Sequence, residues 1–154
     1  MFKKTSLVVL VVVAVCSLLL AAPDFSGKWV LNKDQSTMRT RDGEKPDITL
    51  TIEQTGDTLK VKQESSIEFM NREYSYNVNG ETQEVAGRGG RMSKVTPKWE
   101  GDTLVVTTVR EGQQGSMTST ERWQLSSDGK TLTIDGKNQS PRGEFESKMV
   151  YQKQ

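Results

Sequence analysis

An all-β chain, an antiparallel up-and-down meander of eight to ten strands closed into a barrel, is the fold this sequence predicts, and three observations carry it. Apolar and polar residues alternate with a period of two over most of the chain beyond residue 22, as they do in strands with one buried and one wet face. Nearly every such run is joined to the next by a short loop rich in Gly, Asn and Asp. The apolar supply is small, 33% of residues with 6% aromatic, which suits one buried face per strand and no more. A meander of this length removes its exposed edges most simply by rolling up. A two-sheet sandwich is the alternative and needs a long crossover, for which no segment offers itself.

The chain opens Met1-Phe2-Lys3-Lys4, runs uncharged through residues 5–22 and then meets Pro23 and Asp24. A basic start, an apolar run and small residues are the order of a secretory signal peptide. Residues 1–22 are therefore read as that leader, cut after Ala21 or Ala22, and residues 23–154 as one domain. The alternatives for the same run are an uncleaved anchor and a lipid attached at Cys16. The expected location is secreted or periplasmic, with no stable membrane insertion once the leader is gone. Beyond it the chain has neither cysteine nor histidine, so packing and strand pairing alone must hold the fold. Loss of Lys3 and Lys4 leaves 19 basic against 20 acidic residues, a balance that draws neither nucleic acid nor anionic membrane over a distance.

The first strand is Phe25-Ser26-Gly27-Lys28-Trp29-Val30-Leu31, with a glycine two residues before the first of three tryptophans, a ring the later strands can close around. Residues 32–46 are polar and weakly patterned, a short helix or a lid over one end, stopped by Gly43 and Pro46. Ile48, Leu50 and Ile52, a turn at residues 54–57, then Leu59 and Val61 make a hairpin with one apolar face. Ile67 and Phe69 share one parity, while Met70, Tyr74, Tyr76 and Val78 share the other, so a bulge or break is expected near Asn71 and Arg72. Asn79-Gly80 is the strongest short signal for a tight hairpin. After the flexible Gly87-Arg88-Gly89-Gly90-Arg91 comes a strand with Val95, Pro97 and Trp99, where the proline argues for an edge, a bend or a bulge. The second half is more regular. Strands carrying Leu104 to Val109, Met117 to Leu125, Leu132 with Ile134, and Phe145 to Tyr151 follow one another across turns at residues 111–115 and 126–130.

Catalysis has few handles here. Without histidine or a cysteine beyond the leader, Ser-His and Cys-His nucleophiles are excluded, as are zinc sites built on imidazole or thiolate, and no calcium-loop pattern occurs. No catalytic residue, metal or cofactor is assigned, and the chain is read as a non-enzyme. Glu121 shares the inward parity of Met117 and Trp123, and a carboxylate there needs a partner or an upward pKa shift. It is a candidate ligand anchor, with Phe69, Tyr74, Tyr76, Trp99 and Trp123 as candidate lining. Arg88 and Arg91 are candidate anion contacts at the barrel mouth, with no wider basic face to suggest nucleic acid. Two other readings stay open: a filled barrel acting as a protein- or envelope-interaction module, and an enzyme pairing Glu121 with Tyr74 or Tyr76.

The segment from Phe25 to Leu31 resembles the opening of the calycins, the superfamily of lipocalins, fatty-acid-binding proteins and avidins. Trp99-Glu100-Gly101-Asp102-Thr103-Leu104 and the run from Glu121 to Leu132 resemble small exported bacterial lipocalin-like proteins. The resemblance implies a lipocalin-like β-barrel, with Gly27 and Trp29 closing one end beneath a late basic residue: Arg122, Arg142, Lys148 or Lys153. It also implies a small apolar or amphipathic ligand, with no protein partner specified.

Overall fold

The computed structural model describes residues 21–154, the Arg88 side chain excepted, so the leader read at residues 1–22 lies outside them save for its last two residues. Ten strands form a single antiparallel sheet: β1 (Gly27–Leu31), β2 (Ile48–Thr55), β3 (Thr58–Ser65), β4 (Arg72–Asn77), β5 (Gln83–Ala86), β6 (Met92–Glu100), β7 (Thr103–Gly112), β8 (Gly115–Leu125), β9 (Thr131–Ser140) and β10 (Gly143–Lys153). Spatially the order is β4-β3-β2-β1-β10-β9-β8-β7-β6-β5, so the sheet rolls up around the pairing of its first and last strands. Trp29 pairs with Lys153 and Leu31 with Tyr151, and the short β1 is flanked on its other side by β2.

The inward residues fill one end and leave the other hollow. At the filled end Trp29 is fully buried, and its Nε1 donates to the Phe25 carbonyl at 2.9 Å. Phe25 stacks on Trp99, centroids 5.7 Å apart, and meets Trp123 edge-on at 5.8 Å. Lys153 supplies the late basic residue, its Nζ lying 5.2 Å from the Trp29 ring centroid. Of the other candidates, Arg122 is paired with Glu100 in an exposed salt bridge at 3.0 Å, and Arg142 donates to Gln114. Gly27 is required beside this plug, with a φ of +139° and a site where a Cβ would stand 2.8 Å from Lys153 Cε. Gly27→Ala is therefore expected to lower stability by about 1–3 kcal/mol, read as a shift of the urea midpoint at constant slope.

Four expectations take the following form in the structure. Residues 32–47 form no helix. They run as a strap along β10, where Ser36 Oγ donates to the Asn32 carbonyl at 2.6 Å and accepts from the Val150 amide at 2.9 Å, and Thr37 forms a bridge with Lys148. The break near Asn71 is a single 3₁₀ turn at Glu68–Met70, which resets the parity before β4 begins. Pro97 sits where β6 has outrun its neighbour, because β5 pairs only as far as Val95, so the missing N–H faces no partner strand.

The fourth is a correction: the chain bends at Asn79-Gly80, but the strands on either side do not pair as a hairpin. β4 and β5 are the two ends of the sheet. Across that seam a side chain replaces the ladder. The Asn77 amide donates to Gln83 Oε1 at 2.8 Å, and Gln83 Nε2 donates to the Asn77 carbonyl at 2.7 Å. The seam is clasped at its turn end, and the strands reach from there to the open end of the barrel.

Candidate ligand-binding site

Above the plug the barrel encloses a cavity of about 740 Å³, open at one end. Ile48, Leu50, Val95, Val106 and Ile134 supply apolar wall, and Trp123, only 1% exposed, is the floor between cavity and plug. Met38 and Arg39 of the strap, with Phe69 of the 3₁₀ turn and Phe145, stand at the mouth. Phe69 is 62% exposed there, and the Arg39 guanidinium lies 6.0 Å from the Phe145 ring centroid.

Polar groups reach this cavity from more than one wall. Along the inner parity of β4, Arg72 packs over Tyr74 at 5.2 Å, and Tyr74 stacks on Tyr76 with centroids 5.6 Å apart. Gln63 on β3 positions the arginine: its Oε1 accepts from Arg72 Nε at 3.3 Å, and its Nε2 donates to the Met70 carbonyl at 2.8 Å, tying the site to the 3₁₀ turn. From the facing wall come Glu121 of β8 and Tyr151 of β10. Glu121 Oε2 accepts from Trp123 Nε1 at 3.0 Å, and its ladder partner Gly136 has no side chain, which leaves Ser147 Oγ room where a Cβ would lie 2.6 Å from it.

Electrostatics follow from this geometry. Arg72 is enclosed by protein yet keeps accessible surface, because the space it faces is the cavity. Burial works against its charge, but Tyr74, Glu121, Tyr151 and Tyr76 outweigh that and its pKa is raised, so it stays cationic. Burial pushes the phenols of Tyr74, Tyr76 and Tyr151 well above their ordinary range; Glu121 adds to the shift in each case, and Arg72 opposes it. Among the described residues, none of the three hydroxyls and neither terminal nitrogen of Arg72 has a protein hydrogen-bond partner. The cavity thus holds a set of donors without protein acceptors, within a largely apolar wall.

No protein-family profile and no curated protein matches this chain. Solved structures do match. Apo lipid binding protein 8 of Caenorhabditis elegans superposes with a TM-score of 0.65 at 16% identity, covering 84% of this chain and 95% of that one. The zebrafish ileal bile acid-binding protein complexed with cholic acid gives 0.62 at 17% identity, covering 84% and 98%. The REP1-NXSQ fatty acid transporter gives 0.61 at 16%, covering 84% and 96%. The fold is that of the fatty-acid-binding barrels. Such identities speak of fold alone, and the closed antiparallel barrel expected from the sequence is the fold they share with this chain.

Within this barrel, Tyr74, Tyr76, Glu121 and Trp123 line the cavity and Phe69 rims it. Trp99 does not line it, being stacked in the plug on Phe25. Arg91 is exposed on the loop after β5 and is not part of the wall, and the Arg88 side chain lies outside the described residues. Sequence reasoning passed over Arg72, Gln63 and Arg110, and counted Tyr151 among the aromatics available to a cavity without making it a candidate contact. The signal for Arg72 was its parity with Tyr74 and Tyr76, and the signal for Tyr151 its parity with Phe145 and Met149.

Proposed function

We propose that this protein is a non-enzymatic, exported carrier that encloses a small apolar or amphipathic molecule in its barrel. The observation that carries this reading is the cavity, about 740 Å³ of mostly apolar wall with one cluster of unmet donors, a volume and lining typical of small-molecule sites. Proteins of the same fold whose names describe lipid, fatty-acid and bile-acid binding support it. A carrier is favoured over an enzyme because the phenols are held protonated and one oxygen of Glu121 is committed to Trp123, so the site offers hydrogen bonds rather than proton transfer. Export rests on the leader at residues 1–22.

Titration of the purified protein with an environment-sensitive fluorescent fatty acid tests it. Saturable binding is expected, accompanied by a change in tryptophan emission that Trp123→Phe abolishes while binding persists, since Trp29 and Trp99 do not reach the cavity. Arg72→Met should weaken uptake roughly ten- to a hundred-fold, the worth of a charge-assisted hydrogen bond. No saturable response would overturn the carrier reading.

A further inference from the structure

Arg72 and Glu121 reach into the same cavity from opposite walls, from β4 and from β8, and among the described residues they form no ion pair with each other. Each is anchored on the side away from the other. Arg72 spends Nε on Gln63 and its face on Tyr74, leaving its terminal nitrogens free. Glu121 spends Oε2 on Trp123, leaving Oε1 without a protein donor. The remaining arginines of the wall do not answer that carboxylate: Arg39 lies over Phe145 at the mouth, and Arg110 Nε donates to Ser93 Oγ at 3.4 Å. Tyr76 and Tyr151, whose side chains are almost wholly buried, line the same cavity.

An anion alone satisfies only half of this arrangement. It accepts from Arg72 and the phenols, but it enters the barrel beside a carboxylate, where like charges repel more strongly than in bulk water. A group that is anionic on one side and donates from a cationic nitrogen on the other meets both walls at once. Resting on the carrier reading, we infer that the ligand carries a zwitterionic head, an acidic group for Arg72 beside a protonated amine for Glu121, on a long apolar tail that meets the apolar wall. The cavity is bipolar where a fatty-acid site needs only a positive end.

Two lipids of equal length separate these cases: hexadecanoate and 2-aminohexadecanoate, each measured by displacement of the fluorescent fatty acid from the purified protein. The amino acid is expected to bind at least ten-fold more tightly than the plain acid. Glu121→Gln keeps an oxygen for Trp123 and a near-identical shape while removing the charge, and is expected to bring the ratio of the two affinities close to one, by tightening hexadecanoate and loosening its amino analogue. Equal or tighter binding of hexadecanoate by the unmodified protein overturns the head-group assignment, as does a ratio that Glu121→Gln leaves unchanged. Displacement of the bound probe by neither lipid also overturns the head-group assignment, whereas the carrier reading falls only if the fluorescent fatty acid itself gives no saturable response, so the two failures are distinguishable.

Discussion

Raising the pH is expected to leave the phenolate absorbance flat through the range in which free tyrosines ionise, and then to release all of it in one step as the barrel opens. The chain has three tyrosines, and all of them, Tyr74, Tyr76 and Tyr151, are in the cavity with pKa values raised chiefly by burial. Their stabilising contribution is complete below the ordinary phenol value near ~10. Above it the unfolded chain loses these protons while the folded chain keeps them, so stability falls as pH rises toward the folded pKa values. The slope is about 1.4 kcal/mol per pH unit for each tyrosine, about 4 for the set, against a reserve of roughly 5–15 kcal/mol for a domain. Absorbance and circular dichroism followed together should change at one pH. A stepwise titration centred near the ordinary value in a still-folded protein would mean that the phenols are bathed in bulk water, and the donor cluster would lose its physical basis.

The second large effect is expected at the plug. Trp29→Ala removes the largest fully buried side chain of the closed end, and such truncations cost about 3–5 kcal/mol. It also leaves the buried Phe25 carbonyl without its donor and withdraws the ring over which Lys153 lies. The variant should therefore retain half or less of the parent stability in urea. Trp29→Phe keeps most of the bulk and loses the hydrogen bond, and should cost about 1–3 kcal/mol, close to the penalty for an unpaired buried carbonyl. A loss under about 1 kcal/mol for the alanine variant would show that the ring does not close the barrel.

The parts of the fold that local chemistry decides were legible in the chain. Ladders such as β2 with β3, β7 with β8, or β8 with β9 follow from period-two alternation and turn residues, and they lie in the register that alternation implies. What depended on the whole sheet was not. Asn79-Gly80 dictates a tight turn, but whether the strands on either side meet depends on how far the barrel has closed elsewhere, and here it closes between β1 and β10 instead. The site was divided in the same way. Parity placed Glu121 and Trp123 inward, yet it placed Trp99 inward too, and only the height of a residue along the barrel decides whether it joins the plug or the cavity. Arg72 went unread because an arginine on an inner face contradicts the burial pattern, and only the hollow makes that position habitable.

The clasp between Asn77 and Gln83 has a mechanical consequence. Every other junction of the wall is a run of backbone pairs that must be unzipped together, whereas this one is held by two hydrogen bonds to a single amide, about 1 kcal/mol each. Thermal breathing will concentrate there, so the circumference is elastic along one line and stiff elsewhere. Along that line the wall can part and spring back with every β-ladder left intact.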